Sequence, residues 1–302
     1  MIKVCAVIVT YNRAELLCRC VKRLLEQDYP LDVFIYDNHS SQDTKGELEK
    51  NDLLTDRVTY FYADSNTGGS GGFHNGMKMA AEKDYDALWL MDDDGYAVNN
   101  DTLSTIVKKW ESMDREICIL NSLVVCEPET LKLSFSLNRE FDGKKVITNA
   151  EDGLLKDLVS PFNGTFVPSE LAKKMGFPIK EFFVYGDETE YMLRAKSNGA
   201  KLYTVIDSIY FHPTMVVNEK KFLWRKFVVS NVPLWKTYCS SRNTVYFTKK
   251  YFKFLEVVKC IARVYIGCIL ADNNKWANFK TATRGICDGL RGDLSRKIDL
   301  SK

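Results

Sequence analysis

The chain has 302 residues, enough for one large domain or two modest ones, and 45% of them are hydrophobic, which suits a packed core. Its net charge is only +2, but residues 219–302 carry 18 Lys and Arg against 6 Asp and Glu, so residues 1–218 are acidic. The first apolar run ends after six residues, and the nine cysteines form no C-x-x-C pair. We therefore expect no signal peptide or membrane span at this end, and a cytoplasmic protein with buried free thiols.

The first elements alternate between strand and helix. "KVCAVIVTY" is a continuous run rich in Val and Ile, the pattern of a strand buried on both faces of a parallel sheet. "RAELLCRCVKRLLEQ" has apolar residues at helical spacing, and "LDVFIYDN" gives a second strand. This order predicts an α/β fold with a mainly parallel sheet, in which ligands bind at the carboxyl ends of the strands.

The next elements continue this order. "VTYFYAD" predicts a third strand, "NGMKMAAEKD" a helix and "DALWLMDDD" a fourth strand. Polar clusters lie at the carboxyl ends of the four strands: Thr10 to Asn12, Asp37-Asn38, Asn66 to Gly72 and Asp92 to Asp94. Because such ends meet at one edge of a parallel sheet, these clusters mark the predicted binding edge.

A glycine-rich segment, "NTGGSGGFHNGM", lies between the third strand and its helix. Glycine is unfavourable in regular structure, so the cluster indicates a strained turn or a backbone that closely approaches a ligand. It lacks the lysine of a phosphate-binding loop, and it does not follow the first strand as a dinucleotide fingerprint would. A flexible surface loop is the alternative.

The second half of the chain predicts further elements and a different C-terminal region. Residues 110–160 resemble a pair of strands and a loop, "SELAKKMGF" and "DETEYMLRAKSNG" predict helices, and "KLYTVIDSIYFHP" predicts a strand. Beyond about residue 219 the chain is basic, aromatic and mostly helical in pattern. We predict one domain over residues 1–218 and a basic helical region over residues 219–302.

Three successive aspartates end the fourth strand and repel one another unless a cation joins them, usually a divalent metal ion. Since alternate side chains of an extended chain share a face, Asp92 and Asp94 converge while Asp93 points elsewhere. The alternative is a solvated acidic turn, which Gly95 would suit. His212 also ends a strand, and an imidazole beside two carboxylates favours Mn²⁺, although spacing alone does not place it in the site.

The segment "YGDETEY" opens a predicted helix with three acidic residues. Asp187 and Glu190 fit the N-cap and N3 positions of a capping box. This assignment leaves Glu188 unexplained. A carboxylate held at a helix start near a pocket could act as the general base for a hydroxyl nucleophile.

Taken together, these segments resemble glycosyltransferase family 2, whose nucleotide-sugar-binding domain has the Rossmann-like GT-A fold. Six segments carry the resemblance, in the family's order, over roughly residues 3–215: "VIVTYNR", "YDNHSSQDT", "NTGGSGGFHNGM", "WLMDDDG", "FNGTFVPSELAKKMGFPIKEFFVYGDETEYMLRAK" and "YFHP". The glycine-rich segment with the triple aspartate looks most like the galactofuranosyltransferase branch, which uses UDP-galactofuranose. Rhamnosyltransferases, which use dTDP-sugars, are close neighbours.

The resemblance implies roles for individual residues. Ten residues would surround the nucleotide sugar: Thr10, Tyr11, Arg13, Asp37, Asn66, Gly68, Gly69, Gly71, Gly72 and Asp93. Three would bind Mn²⁺ or Mg²⁺: Asp92, Asp94 and His212. Asp187-Glu188 falls where the family usually shows Glu-Asp or Asp-Asp, so Glu188, one methylene longer than Asp, would be the base. Attack from the side opposite the leaving diphosphate would invert the sugar.

The basic C-terminal region contains "TKKYFKFLEVVKCIARVYIGCILA", which predicts an amphipathic helix over residues 249–271 with a narrow charged stripe. The stripe consists of Lys249, Lys250, Lys253, Glu256, Lys259 and Arg263. Such a helix either lies on an anionic membrane, at the inner face of the cell, or packs on the catalytic domain. A lipid-linked or other glycan acceptor suits this region. A homo-oligomer is compatible with it, and no nucleic-acid reading motif is present.

Two other classes of function remain open on sequence alone. A nucleotidyltransferase also binds a nucleotide and a metal between carboxylates, but it would release pyrophosphate and would not need Glu188. A non-catalytic nucleotide-sugar-binding module would show no turnover with any donor.

Overall fold

The computed structural model describes residues 1–214, 218–222, 225–229 and 232–300. The chain divides into two compact units. The first consists of Met1–Pro178 and Tyr191–Thr214, and the second of Ile179–Glu190 and Met215–Lys302. The domain boundary at residues 218 and 219 stays a prediction.

The first unit contains an 11-stranded sheet and the helices around it. The strands are β1 (Val4–Thr10), β2 (Asp32–Asp37), β3 (Val58–Tyr62), β4 (Ala87–Asp92), β5 (Tyr96–Ala97), β6 (Cys118–Glu127), β7 (Lys132–Leu137), β8 (Glu140–Asp142), β9 (Leu154–Lys156), β10 (Asn163–Pro168) and β11 (Lys201–Phe211). The helices are α1 (Ala14–Leu25), α2 (Thr44–Lys50), α3 (Gly68–Ala81), α4 (Thr102–Ser112), α5 (Gly143–Ile147), α6 (Ser169–Met175) and α7 (Asp187–Ser197). The first residues of α7 belong to the second unit.

Eight of the eleven strands follow one another in the order β3-β2-β1-β4-β10-β6-β11-β5; of the other three, β7 pairs with β6 and β8, and β9 pairs with β11. Strands β3, β2, β1 and β4 are parallel to their neighbours, and β11 is parallel to β6, whereas β10 is antiparallel to both β4 and β6. Thr10 is aligned with Asp37, and Val9 with Asp92. The carboxyl ends of β1, β2 and β4 therefore meet at one edge, as the sequence predicts.

The core lies on both faces of the sheet. Ile8 and Trp89 belong to one cluster of buried residues, and their neighbours Val7 and Leu88 belong to another. Because successive side chains of a strand point to opposite faces, an apolar residue is needed at every position of β1 and β4. This explains the uninterrupted apolar runs and confirms the buried strands.

Both sequence interpretations placed the glycine-rich segment in a turn or loop. In the structure, the residues from Gly68 onwards form the start of α3 instead. A Cβ atom added at Gly72 would lie 2.5 Å from Cγ1 of Val9, and one at Gly76 would lie 3.1 Å from Cγ1 of Val7. The two glycines are four residues apart and so share the helix face that contacts β1. Close packing of helix on strand therefore accounts for both of them without a ligand.

Residues 110–160 contain more structure than the sequence predicts. The predicted pair of strands corresponds to β6 and β7, which are antiparallel. The end of α4, the short strands β8 and β9 and the short helix α5 were not predicted. All nine cysteines lie within the described residues and are free thiols; six are buried, whereas Cys287 is exposed, contrary to the prediction for all nine.

The second unit is mostly helical, as predicted, but begins with unpredicted elements. Its elements are a 3-10 helix (Lys180–Phe182), the antiparallel strands β12 (Asn218–Phe222) and β13 (Arg225–Val229), and the helices α8 (Leu234–Tyr251), α9 (Phe254–Leu270) and α10 (Lys275–Arg291). None of the helices in the described ranges is long and apolar enough to cross a membrane.

The prediction of a single amphipathic helix over residues 249–271 is wrong. The chain leaves helical geometry after Tyr251, and α9 starts at Phe254. The break lets α9 turn back, so that Cys260 packs against Val245 of α8 and Ile286 of α10. The charged residues that the sequence places on one stripe are therefore divided between two helices.

Candidate active site

Three side chains in the first unit form a potential metal site. Asp92, Asp94 and His212 each offer one ligand atom, and these atoms lie within 4.8 Å of one another. Asp92 is the last residue of β4, and His212 directly follows β11. The structure thus brings together the three residues for which the resemblance implies metal binding.

A short strand joins these distant parts of the sheet. After the aspartates the chain forms β5, whose Tyr96 is aligned with Phe211 at the end of β11. Gly95 makes the approach possible, because a Cβ atom there would lie 2.5 Å from Cε1 of Tyr210 and 2.9 Å from the carbonyl oxygen of Phe211. Gly95 is therefore required for the turn that presents Asp94 to His212, and the turn is more than a solvated acidic loop.

The imidazole of His212 has one nitrogen engaged and one directed at Asp94. Its Nδ1 atom lies 2.7 Å from the carbonyl oxygen of Pro213, where it donates, so that Nε2 carries the lone pair of the neutral ring. Nε2 lies 3.3 Å from Oδ1 of Asp94, an atom that is buried without a hydrogen-bond donor among the described residues. Two facing acceptors require a cation or a proton between them.

His212 and Asp94 each favour the charged form of the other. Burial opposes the charged form of both groups, but the contact with Asp94 outweighs it and raises the pKa of His212. Burial likewise opposes ionisation of Asp94, yet His212 and Arg13 lower its pKa. Two carboxylates and one imidazole fit a divalent cation such as Mn²⁺ or Mg²⁺, and one of the carboxylate oxygens, Oδ1 of Asp94, is buried without a hydrogen-bond donor among the described residues.

Asp93 and Asp94 lie in the turn that follows β4, so the alternation predicted for an extended chain does not apply to them. The carboxylate of Asp93 accepts a hydrogen bond from Oγ1 of Thr10 at 2.7 Å and contacts Nη1 of Arg13 at 3.1 Å. The same Arg13 nitrogen lies 2.7 Å from Oδ2 of Asp94. Burial raises the pKa of Asp93 despite these partners. The buried contact between Thr10 and Asp93 thus supports the aspartate turn, and the half-exposed Arg13 contacts both Asp93 and Asp94.

Asp37 occupies the equivalent end of β2 and is fully buried. Its carboxylate accepts from the backbone N–H of Ser40 at 2.8 Å and from the hydroxyl of Tyr60 at 2.6 Å. Tyr11, at the end of β1, has 44% of its surface exposed. Nucleotide binding by these residues stays a prediction; in the structure Asp37 shapes the loop after β2, whereas Tyr11 is accessible.

Asn38, which the sequence did not single out, also lies at this edge of the sheet. Its Oδ1 accepts from the backbone N–H of Thr67 at 2.9 Å, and its Nδ2 donates to the carbonyl oxygen of Gly68 at 2.9 Å. Asn66 accepts from the N–H of Gly68 at 2.8 Å. Gly68 has φ +71°, a conformation that favours glycine. Asn38 and Asn66 therefore fix the start of α3, and the only signal for Asn38 was its place at a strand end.

The other glycines of this segment differ in their surroundings. A Cβ atom at Gly71 would lie 2.5 Å from Cβ of Thr67, so Gly71 is needed for the first turn of α3. A Cβ atom at Gly69 would meet nothing within 4 Å. Gly69 thus has open space above its backbone, and its contact with a nucleotide sugar stays a prediction.

The two acids proposed for catalysis lie at the start of α7, in the second unit. Asp187 is buried and Glu188 is half-buried. The helix begins at Asp187, and the N–H of Glu190 bonds to the carbonyl oxygen of Gly186 at 2.8 Å, so Gly186 rather than Asp187 precedes the first helical residue. The side chain of Glu190 accepts from the hydroxyl of Tyr251 at 2.7 Å. Its role is a tertiary contact that sequence spacing could not reveal.

Sequence comparisons identify the family. The model of glycosyl transferase family 2 matches residues 5–167. The chain is 29% identical over 217 residues to galactofuranosyltransferase GlfT1 of Mycolicibacterium smegmatis, covering 70% of each protein. It is 27% identical over 168 residues to the GalNAc(5)-diNAcBac-PP-undecaprenol beta-1,3-glucosyltransferase of Campylobacter jejuni, covering 55% of this chain and 50% of that protein.

Solved structures share the fold. The mannosyltransferase PcManGT from Pyrobaculum calidifontis, in complex with GDP-Man and Mn²⁺, has a TM-score of 0.55 at 15% identity and covers 95% of this chain and 75% of its own. GalNAc-T7 with UDP, GalNAc and Mn²⁺ has a TM-score of 0.64 at 12% identity and covers 96% of this chain and 56% of its own. The chain therefore belongs to glycosyl transferase family 2 and is a glycosyltransferase with the GT-A fold.

Proposed function

We propose that the protein is an inverting, metal-dependent galactofuranosyltransferase. It would transfer galactofuranose from UDP-galactofuranose to a hydroxyl of a glycan or lipid-linked glycan during synthesis of a bacterial surface polysaccharide. The observation that carries metal-dependent transfer is the group of Asp92, Asp94 and His212 at the binding edge of the sheet. The similarity to the mycobacterial galactofuranosyltransferase supports the choice of donor.

The metal would be held by Asp92, Asp94 and His212, and the mixed oxygen and nitrogen donors favour Mn²⁺ over Mg²⁺. When bound, it would stabilise the negative charge of the leaving diphosphate. Arg13 adds a fixed positive charge beside the same carboxylates. Gly69, with open space above its backbone, would lie along the diphosphate and sugar.

Glu188 would be the general base. Its carboxylate takes the proton of the acceptor hydroxyl while the acceptor oxygen bonds to the anomeric carbon. The bond between that carbon and the diphosphate oxygen breaks, and UDP leaves with the electron pair. The N-terminus of α7 stabilises the ionised carboxylate before it accepts the proton. Asp187, which is buried, would support the helix start.

A lipid-linked acceptor and a membrane surface fit the second unit. Helix α9 exposes large apolar side chains: Phe254 by 82%, Leu255 by 61% and Val258 by 45%. Exposed apolar surface next to Lys253 and Lys259 is typical of helices that bind the interface of an anionic bilayer. The substrate in the name of the Campylobacter relative carries undecaprenol. We therefore propose that the enzyme works in the cytoplasm at the inner face of the membrane.

The proposal is tested by a donor screen with Mn²⁺ in which the nucleotide product is identified. UDP released from UDP-galactofuranose, in excess over UDP from UDP-glucose and UDP-galactopyranose, supports it. Preference for UDP-glucose or for dTDP-rhamnose would change the proposed donor but leave the assignment as a glycosyltransferase unchanged. Pyrophosphate as product would indicate a nucleotidyltransferase, and no turnover with any donor would indicate a binding module.

A further inference from the structure

The backbone just before α7 is strained. Phe183 has φ +66° and ψ −62°, and the N–H of Val184 donates to the carbonyl oxygen of Phe182 at 2.8 Å. These features define a γ-turn of the rare positive-φ kind. Tyr185 and Gly186 also have positive φ, +67° and +84°. Bulky residues in this region are outliers, which persist only where the surroundings hold them.

An asparagine of α8 holds the turn. Asn243 is fully buried, and its Nδ2 atom lies 3.0 Å from the carbonyl oxygen of Phe182, 3.0 Å from that of Val184 and 2.8 Å from that of Tyr185. Because an amide NH2 group has two N–H donors, at least one of them is shared between two carbonyl groups of the strained segment. These carbonyl groups have turned away from helical or sheet partners, and burying them unpaired would be unfavourable.

The preceding residue of α8, Arg242, fixes both the amide and the 3-10 helix. Its Nε donates to Oδ1 of Asn243 at 2.9 Å, which orients Nδ2 towards the turn. Its Nη2 donates to the carbonyl oxygen of Glu181 at 2.6 Å. Arg242 is fully buried, and no carboxylate among the described residues lies within ion-pair distance of it. A buried guanidinium that binds only neutral acceptors is an unfavourable way to fill a core, which points to a positional role.

The same helix also holds the residues after Glu188. Glu190 is fully buried, and its Oε1 accepts from Tyr251 at 2.7 Å and from Nζ of Lys250 at 3.2 Å. Asn243 and Lys250 are seven residues apart, two helical turns, and so lie on one face of α8. One helix face thus binds the chain on both sides of Glu188.

We propose that Arg242 and Asn243 are positioning residues that hold the strained turn so that the Glu188 carboxylate is oriented to take the acceptor proton. This inference rests on the proposed function, in which Glu188 is the base. The four carbonyl groups of residues 181, 182, 184 and 185 are bound to α8, and the chain has no freedom to relax from the γ-turn. Rotation of the helix start would move Glu188, because Asp187 directly follows the turn.

The test uses Asn243→Asp, which keeps the side-chain volume but replaces the donors with oxygens that repel the three carbonyl groups. We expect kcat to fall by about 10²-fold, the order expected when a reacting group is displaced by about 1 Å. UDP affinity should be unchanged. In a Glu188→Gln background Asn243→Asp should lower kcat no further, because the group that it positions is already inactive.

Asn278→Asp is the matched control, since it makes the same change of amide to acid on α10, where Nδ2 donates to the carbonyl oxygen of Asn273 at 3.1 Å. It should retain wild-type kcat. If Asn243→Asp is unfolded at the assay temperature, Asn243→Ser replaces it, because the shorter hydroxyl brings no charge but cannot serve the three carbonyl groups. It should likewise lower kcat without changing UDP affinity.

The outcomes separate this inference from the proposed function. Wild-type kcat for the folded variant, or an equal further loss in the Glu188→Gln background, would overturn the positioning role while leaving Glu188 as the base. A fully active Glu188→Gln enzyme would instead remove the base assignment itself.

Discussion

Replacement of Asp94 by Asn distinguishes a metal ligand from a structural acid. In the metal-free protein this change removes the contact with Arg13 at 2.7 Å, but the Arg13 side chain is 50% exposed, so the pair contributes at most about 1 kcal/mol. The change also removes repulsion from Asp92 and Asp93. Because these effects oppose each other, we expect the free energy of unfolding without metal to stay within about 1 kcal/mol of wild type.

The expected difference appears when metal is added. Mn²⁺ at a hundred times its Kd would stabilise the wild-type protein by about 2.7 kcal/mol, which raises Tm by roughly 5–10 °C. Asp94→Asn loses one of three ligands, so this rise should be absent at the same concentration. The measurement is thermal unfolding across a Mn²⁺ titration, with and without UDP. Asp84→Asn is the control, because its side chain is 98% exposed and Asp84 lies before the first residue of β4, at the opposite end of that strand from Asp92.

Two results would refute this reasoning. An undiminished Mn²⁺ shift in Asp94→Asn would show that the ion binds elsewhere. Full turnover of the wild-type enzyme in excess EDTA would show that transfer needs no metal.

Three further predictions concern other parts of the chain. Glu188→Gln should lower kcat by about 10²–10⁴-fold with UDP affinity retained, whereas Asp187→Asn should have little effect; exchanged phenotypes would make Asp187 the base. Phe254→Ser should weaken binding to phosphatidylglycerol vesicles with unchanged activity on a water-soluble acceptor, and equal vesicle binding would contradict the membrane surface. Gly72→Ala should lower the free energy of unfolding by about 1–3 kcal/mol, because the added methyl group overpacks against β1. Gly69→Ala should cause no such loss, and denaturant titration measures both variants.

The parts of the site that follow directly from strand pattern could be predicted from the sequence. The apolar run of β4 fixes where the strand ends and so places the three aspartates at the predicted binding edge, whereas the approach of Asp94 to Asp92 depends on the turn after the strand, to which the period of two does not apply. His212 could be assigned only by resemblance. The two-residue strand β5, which brings the acidic turn to β11, has no periodicity to read, and its partner is more than a hundred residues away.

Local propensity also failed where tertiary contacts decide the structure. Glycine disfavours helix, so the segment from Gly68 onwards predicted a loop, yet its fit against Val9 and Val7 stabilises a helix there. No Gly or Pro marks the break between α8 and α9, which follows from the packing of α9 back onto its neighbours. The association of residues 179–190 with α8 depends on Arg242 and Asn243, which lie about sixty positions further along the chain.

The charges at the binding edge explain why metal and donor should bind together. Among the described residues, Arg13 contacts the carboxylates of Asp93 and Asp94, and Arg19 donates to the carbonyl oxygen of Asp94, so the three ionised aspartates outnumber the two arginines beside them. A diphosphate brought to this edge alone would be repelled, and a divalent cation reverses the local sign. A cation held by only three protein ligands keeps coordination positions for diphosphate oxygens. The nucleotide and the ion would therefore complete each other's site. We expect Mn²⁺ to stabilise the protein more with UDP present than without it, and Asp94→Asn to remove this coupling.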